Sequence, residues 1–293
     1  MKENVRIIVT ADDFGLNRER NIAVEYAVKE NICTNVSLVV NTEYSREAVQ
    51  IAKKNNFVDI VGLHINLTEG RPLTSKILKY TNLVRDNKFI SDNPRSLRKI
   101  FSFVGIGAIR EEIEAQIIYY LDSGFTLKHI DFHNDVGFNL PVLIAIIPLL
   151  KKYKIKSLRG VEPYLFGFYR KSILSYLPIK YYYILCYKYL RCENTLILDG
   201  GRNINHFMQD IEGKNTRMKL GQISKGDIIE IIIHPNFKDG VYLDNTNFDK
   251  QRNIYSLENT SDKINSVKNL ERLLLCEARE TLMRKANRRK DKQ

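Results

Sequence analysis

Cysteine is scarce in this sequence, and its spacing excludes two classes of protein. Only four of the 293 residues are cysteines, and no two of them form a Cys-x-x-Cys pair: Cys33, Cys186, Cys192 and Cys276. A zinc finger needs paired thiolates, and a disulfide-stapled secreted domain needs a much denser cysteine framework. We therefore expect reduced thiols in a cytoplasmic protein.

Long apolar runs are also absent. A helix that spans a bilayer needs roughly 20 consecutive apolar residues, whereas the longest mainly apolar runs, Val142–Leu150 and Ile228–Ile233, have the length of buried elements. The N-terminal run Val5–Thr10 is too short for the core of a signal peptide and leads directly to Asp12 and Asp13. The sequence predicts no membrane span and no secretion by this route. It leaves open a peripheral contact with the inner leaflet of the membrane.

Acidic residues are too few to balance the basic ones. Lys and Arg number 46 against 34 Asp and Glu, which gives a formal net charge of +12 and indicates attraction to an anionic partner. The basic residues are scattered except in the tail at 284–293, and no nucleic-acid-binding motif accompanies them, so no specific nucleic-acid partner is expected. Hydrophobic residues make up 44% of the chain and charged residues 27%, which excludes global disorder.

Short β-branched runs alternate with helical patterns along the chain. Strands are predicted at seven runs: Val5–Thr10, Val36–Val40, Val58–Leu63, Leu127–Phe132, Ile155–Leu158, Thr195–Leu198 and Ile228–Ile233. Helices are predicted at four: Arg18–Lys29 with Asn17 as its cap, Ser45–Lys54, Ala108–Leu121 and Pro141–Tyr153. This alternation favours an α/β fold with a parallel sheet, either open or closed into a barrel. No internal repeat or linker divides the chain, so we expect a single domain over residues 1–293.

Three segments fall outside the alternation. Residues 70–103 have the weakest pattern and are predicted to form a loop or lid. Residues 164–191 contain ten Phe or Tyr, five Lys or Arg and no acidic residue, which fits an amphipathic or sugar-stacking surface and equally a subdomain whose aromatics pack inward. The tail at 284–293 has six basic residues and one Asp, as expected of a solvated helix end.

Titratable residues follow the ends of four predicted strands. The sequence has only five histidines, and three of them, His64, His133 and His234, come directly after strand-like runs, while the first strand leads into Asp12 and Asp13. The carboxyl ends of parallel strands open onto one mouth of an α/β fold, where ligands bind. A lone histidine at a strand end is commonly structural, and Asp-Asp-Phe-Gly could cap a helix. Four such strand ends together predict a site.

The residue types suggest metal-assisted hydrolysis. Two neutral imidazoles and one carboxylate leave open positions on a divalent ion, and we predict Asp13, His64 and His133 as ligands of one Zn²⁺ or Mg²⁺. Asp12 is then the expected base, and His234 the acid that protonates a leaving amine. The Asp-Phe-Gly triplet does not indicate a protein kinase, because no glycine-rich loop, strand lysine or His-Arg-Asp motif precedes it.

Four motifs resemble those of the YdjC-like carbohydrate deacetylases, which include chito-oligosaccharide and hopanoid-associated deacetylases. In order and spacing these are Thr10–Leu16, Gly62–Leu73, His129–His133 and Ile232–Pro235. The resemblance covers roughly residues 5 to 275 and implies a distorted, TIM-like (β/α) barrel that removes an N-acetyl group from a sugar or glycan with a bound divalent ion. It assigns the metal ligands to Asp13, His64 and His133, the base to Asp12 and the late active-site histidine to His234.

The resemblance also bears on the substrate-binding residues. Arg159 matches a strand-end arginine that lines the pocket, and we add Glu162 and Asp135 as candidate substrate contacts. One motif departs from the family pattern, because Asn134, Asp135 and Gly137 stand where further histidines are usual. An anionic Asp135 near the metal would alter the local charge and the sugar groups that fit.

The expected partner is an N-acetylated sugar or glycan. The basic and aromatic segment at 164–191 suggests a lipid-linked substrate processed at the membrane surface, and a homodimer is left open. Two other classes of protein stay as alternatives: another metal-dependent hydrolase of esters, amides or phosphates on the same barrel, and a basic nucleic-acid-binding protein.

Overall fold

Four helices and thirteen strands are present in the described part of the chain. The computed structural model describes residues 6–90, 103–155, 157–159, 196–198, 201–203, 228–245, 254–257 and 261–262. The helices are α1 (Arg18–Lys29), α2 (Ser45–Lys54), α3 (Phe103–Asp122) and α4 (Leu140–Lys152). The strands are β1 (Arg6–Phe14), β2 (Asn35–Leu38), β3 (Val61–Ile65), β4 (Val84–Arg85), β5 (Lys88–Phe89), β6 (Ile130–Phe132), β7 (Ser157–Arg159), β8 (Leu196–Leu198), β9 (Gly201–Asn203), β10 (Ile228–Ile233), β11 (Pro235–Lys238), β12 (Val241–Asn245) and β13 (Ile254–Ser256).

Eight parallel strands form one sheet that curls toward a barrel. Their order is β8-β7-β6-β3-β2-β1-β10-β9. The edge strands β8 and β9 are separated in the chain by residues 199 and 200 alone, which holds the two edges of the sheet close together. Across the interior, Arg159 on β7 bonds Glu230 on β10 at 2.9 Å, although five strand spacings would separate these strands by roughly 24 Å in a flat sheet. The predicted distorted (β/α) barrel is therefore confirmed.

The outer side of the sheet packs against helices through apolar side chains. In α3, Ile109, Ile113 and Ile117 recur at four-residue spacing and are fully buried, because this spacing places them on one face of the helix. On the strands, Leu63 and Ile65 are likewise buried in the apolar core. The helix α1 begins where predicted, since the Asn17 side chain accepts a hydrogen bond from the Arg20 backbone N–H at 2.8 Å.

The inner side of the same strands is polar. Polar side chains from five strands meet there, four of them buried and that of Arg159 partly buried, and they are Thr10, Ser37, Asp131, Arg159 and Glu230. The interior of an α/β barrel is more commonly filled with Val, Ile and Leu. This charged interior lies directly beneath the ends of β1, β3 and β6, where the predicted site residues are found.

Some sequence expectations need correction. Residues 58–60 form a 3₁₀ turn, so β3 begins only at Val61. In the predicted loop or lid at 70–103, the described residues contain a 3₁₀ helix at Lys76–Lys79 and the antiparallel pair β4-β5. The antiparallel sheet of β11, β12 and β13, which follows β10, had no sequence signal strong enough to predict it. The segments at 164–191 and 284–293 lie outside the described residues.

None of the described helices combines the length and the apolar character that crossing a membrane requires.

Candidate active site

The end of β1 brings two adjacent carboxylates to the same place. Successive side chains of a regular strand face opposite sides of the sheet, but the pairing of β1 with β2 shifts register between Ala11 and Phe14. Within this irregularity Asp13 has a φ of 68°, a left-handed conformation that costs energy for a residue other than glycine. As a result, Asp12 and Asp13 both approach the Nε2 atom of His64, at 4.0 and 3.5 Å.

Gly15 completes this turn. Its φ of 86° is left-handed, and a Cβ there would lie 2.5 Å from the Val39 carbonyl oxygen. Only glycine fits such a close backbone approach. The Asp-Asp-Phe-Gly motif is thus explained by the geometry that turns the chain from β1 into α1.

Asp13, His64 and His133 form a compact buried cluster. The Oδ1 atom of Asp13 lies 2.8 Å from His133 Nδ1 and 3.5 Å from His64 Nε2. The two imidazole rings meet edge to face, with centroids 5.4 Å apart. One potential ligand atom from each residue lies within 4.8 Å of the others, so the structure brings together the three predicted metal ligands.

The donor set of this cluster fits a divalent metal ion. Two imidazoles and one carboxylate are typical of catalytic sites with open coordination positions. The buried Oδ2 atom of Asp13 has no hydrogen bond among the described residues, but Arg20 Nη2 lies 3.4 Å away. The oxygen that faces both histidines is Oδ1. A second possible cluster of Asp12, His64 and Asp131 is less suitable, because Arg159 already pairs with both of its carboxylates.

A carboxylate supports each histidine of the cluster. His64 Nδ1 lies 2.7 Å from Asp131 Oδ1, which leaves His64 Nε2 to face the two N-terminal aspartates. His133 Nε2 lies 3.1 Å from Glu69 Oε1, which leaves its Nδ1 beside Asp13. Histidines that bind metals commonly have such a partner on the other ring nitrogen, because it sets the tautomer and the orientation of the ring.

The close charges shift the pKa values of the cluster. Burial lowers the pKa of His64, but the carboxylates of Asp131 and Asp12 outweigh it and raise this pKa to about 10. Burial raises the pKa of Asp13, and here His133 and Arg20 prevail and hold it well below its usual range. The pKa of His133 is raised by Asp13 despite its burial. Without a metal, both histidines therefore attract protons into the site.

Arg159 lies between three carboxylates. Its Nη1 and Nη2 atoms donate to the two oxygens of Asp12 at 2.7 and 2.8 Å. Its Nε donates to Glu230 at 2.9 Å, and Nη2 lies 2.8 Å from Asp131. Sequence reasoning predicted that Arg159 contacts substrate, which stays a prediction, whereas the contacts in the structure orient Asp12.

A second buried arginine approaches the cluster from α1. Arg20 Nη1 donates to the carbonyl oxygens of His234 and Pro235 at 2.7 and 3.0 Å, and its Nη2 lies 3.4 Å from Asp13 Oδ2. The His234 backbone N–H also donates to Asp244 at 2.8 Å. The backbone that carries His234 is thereby fixed on both sides, while its buried Nδ1 has no hydrogen-bond partner in the described part of the chain.

The departures from the family motif have a partial structural explanation. Asn134 extends its amide to His133 Nε2, Thr68 and Glu69, at 3.1 to 3.4 Å. A side chain at Gly137 would collide with the Phe132 ring, at 2.3 Å. Two predicted substrate contacts stay untested, since Glu162 and the side chain of Asp135 lie outside the described part of the structure.

Sequence reasoning assigned no role to several charged residues of the site. Glu230 had a visible signal, as the lone charge in the apolar run Ile228–Ile233, and Asp131 lies between two histidines of one motif. Arg20 and Glu69 had no comparable signal, because their partners are distant in the sequence.

The fold and this cluster together define a class: an α/β-barrel protein with a buried centre suited to a divalent ion. The YdjC-like protein family model matches residues 6–282, and the chain belongs to this family. The resemblance drawn from the four sequence motifs is thus confirmed.

Relatives and solved structures agree with this assignment. A carbohydrate deacetylase of Brevibacillus brevis is 24% identical over 252 residues, which cover 85% of this chain and 88% of that protein. A carbohydrate deacetylase of Listeria welshimeri is 29% identical over 238 residues, with coverage of 80% and 83%. A crystal structure from Enterococcus faecalis, named provisionally as a cellobiose-phosphate cleavage protein, superposes with a TM-score of 0.59 at 23% identity and covers 80% of this chain and 83% of its own. At this low identity, the structural similarity supports the assignment of the fold alone.

Proposed function

We propose that this protein is a metal-dependent deacetylase that hydrolyses the N-acetyl group of a sugar or glycan. The observation that carries the proposal is the buried cluster of Asp13, His64 and His133 beside Asp12, in a chain of the YdjC-like family. Relatives named as carbohydrate deacetylases support the choice of substrate class.

Asp13, His64 and His133 would hold the ion, and their two imidazoles favour zinc over magnesium. A divalent ion held by these residues would supply Lewis-acid chemistry: it would polarise the acetamide carbonyl and would make a water molecule acidic near neutral pH. Four buried carboxylates, of Asp12, Asp13, Asp131 and Glu230, face the guanidiniums of Arg20 and Arg159. A dication would balance the remaining negative charge in place of the protons that His64 and His133 otherwise attract, which is compatible with a metal at this point of the barrel.

Asp12 is the proposed base. Its carboxylate approaches His64 Nε2 at 4.0 Å, next to the proposed ligands, and it can accept a proton from the attacking water. Arg159 holds both of its oxygens, so the carboxylate is oriented before the substrate arrives. Pre-orientation of this kind lowers the entropic cost of reaching the transition state.

His234 is the proposed acid. Hydrolysis breaks the bond between the carbonyl carbon and the amine nitrogen, and the leaving nitrogen must gain a proton while acetate is released. The Nδ1 atom of His234 is buried and has no hydrogen-bond partner among the described residues, and the His234 backbone is held by Arg20 and Asp244. An imidazole held in this way can donate the proton that the leaving nitrogen needs.

The test is acetate release. Protein stripped with a chelator and reloaded with Zn²⁺ or Mg²⁺ is incubated with N-acetylated mono- and disaccharides, and acetate is measured. We expect metal-dependent acetate release that the Asp13→Asn variant lacks. Metal-dependent release of phosphate, or of an alcohol from an ester substrate, without any acetate from the N-acetyl sugars would instead support a different hydrolase on this barrel.

A further inference from the structure

Arg20 is buried in the first turn of α1, a position that is electrostatically unfavourable for a positively charged side chain. The residue is 3% exposed, and a guanidinium removed from water destabilises a fold unless it is well paired. The N-terminus of a helix also carries a partial positive charge, which repels a cation. Other buried residues of the same helix, Ala23, Val24 and Ala27, are small and apolar. Packing alone would therefore be better served by an apolar side chain at position 20.

The contacts of Arg20 join two functional segments that are distant in the sequence. One guanidinium nitrogen donates to the backbone carbonyls of His234 and Pro235, and another lies 3.4 Å from the Oδ2 atom of Asp13. The other oxygen of Asp13, Oδ1, is the one that faces His64 and His133. The side chain thus contacts a proposed metal ligand and the backbone of the proposed acid at the same time.

We propose that Arg20 is a positioning residue that pairs with Asp13 Oδ2, so that Asp13 offers only Oδ1 to a divalent ion, and that fixes the backbone carrying His234. The inference rests on the proposed function, which supplies the roles of Asp13 and His234. According to this proposal, Arg20 has two separate effects. The positive charge acts on the metal site, and the hydrogen bonds that one guanidinium nitrogen donates to two carbonyls fix the backbone of His234.

Substitution of Arg20 should therefore change two measured quantities in opposite directions, raising the affinity for the metal and lowering turnover. Removal of a cation near the metal site strengthens the binding of a dication, because the repulsion between the two is lost. Loss of the hydrogen bonds to the two carbonyls loosens His234, and small displacements of a catalytic group lower turnover. A residue with a purely structural role would weaken metal binding and turnover together.

The experiment compares Arg20→Met, Arg20→Lys and the control Arg18→Met. Arg18 lies on the same turn but its side chain is 70% exposed, in a surface ion pair with Glu47 at 3.8 Å. Zn²⁺ affinity is measured by competition with a chromogenic chelator, and kcat and KM are measured by acetate release from an N-acetylated disaccharide at saturating zinc. The imidazole NMR signals of the five histidines report on His234 independently of activity, with His234→Ala used to assign its signal.

Arg20→Met should bind Zn²⁺ about tenfold more tightly, with kcat reduced about tenfold and KM little changed. Arg20→Lys keeps the charge but has one nitrogen where Arg20 uses two, so it cannot keep the Asp13 contact and the two carbonyl bonds in the same geometry. Its zinc affinity should stay within about twofold of the wild type while kcat falls as in Arg20→Met. The His234 signals should shift in both variants and stay in place in Arg18→Met.

Weaker zinc binding in Arg20→Met, or unchanged His234 signals in both variants, would overturn the proposal. If Arg20→Met does not fold, Arg20→Lys decides: displaced His234 signals with retained zinc affinity support the proposal, and undisturbed signals contradict it. If the wild type releases no acetate, the proposed function fails, and the zinc and NMR measurements still decide the role of Arg20.

Discussion

The two sides of the barrel strands follow opposite physical rules. On the outer side, Leu63 and Ile65 pack against helices with residues such as Ile113, and burial of apolar area stabilises the fold. On the inner side, His64 and Asp131 on two of these strands lie among buried carboxylates and guanidiniums. Buried ion pairs of this kind are weak stabilisers at best, since the loss of hydration offsets their attraction. The outer side therefore accounts for stability, and the inner side is better explained by function.

The largest expected effect comes from the inner side. Asp13→Asn removes the carboxylate closest to both histidines, and we expect Zn²⁺ affinity to fall by more than about 100-fold, beyond the usual cost of losing a residue that only supports a ligand. Chelator competition measures the affinity. Unchanged zinc binding in this variant would show that Asp13 is not a ligand.

Asp12→Asn should separate catalysis from metal binding on the same side of the barrel. Because a base acts only in the transition state, kcat should fall by roughly 10²- to 10⁴-fold while zinc is still bound. Acetate release at saturating zinc gives kcat. His234→Ala should behave in the same way, and normal turnover in either variant would remove that residue from the mechanism.

A substitution on the outer side should lower stability and leave metal binding and catalysis unchanged. Ile113→Ala leaves a cavity beneath α3, since Ile113 is fully buried, and we expect the free energy of unfolding to fall by about 2 to 5 kcal/mol. Urea denaturation measures this loss. Zinc affinity and kcat of the folded variant should match the wild type. A change in zinc affinity comparable to that of Asp13→Asn would contradict the separation between the two sides.

The smallest effect concerns pH. The pKa of His64 is raised from 6.5 to about 10 in the metal-free protein, so its charge contributes stability fully below pH 6.5 and loses that contribution as the pH rises through 10. The Tm of the metal-free protein should fall between pH 7 and 10. His64→Gln, which does not titrate, should show a flatter profile over that interval. A profile of equal slope in both proteins would contradict this interpretation.

The outer side was also the easier side to predict from sequence. The apolar spacing and the Asn17 cap predicted α1 and α2 with the bounds that the structure has, because local patterns determine them. The alignment of strand ends predicted Asp13, His64 and His133 at one site, and the structure places these side chains together; their role as metal ligands stays a prediction. Local patterns could not reveal the shift in β1 that turns Asp12 and Asp13 toward one histidine.

The residues that interact on the inner side are distant from one another in sequence. For this reason, sequence reasoning assigned no role to several charged residues of the site. Thr10 and Glu230 are 220 residues apart but lie at a hydrogen-bonding distance of 2.6 Å. Arg159 and Asp12 are 147 residues apart. The pairing of β1 with β10 brings the first pair together, and the closure of the barrel brings the second pair together. The roles of these residues therefore follow from the fold.

Anomalous diffraction from a crystal soaked in Zn²⁺ tests the central claim most directly, because it locates the ion itself. The account predicts one peak within about 2 to 2.6 Å of a carboxylate oxygen of Asp13, Nε2 of His64 and Nδ1 of His133. A peak elsewhere on the protein, with those three side chains more than about 5 Å apart and so beyond any shared coordination distance, would contradict it.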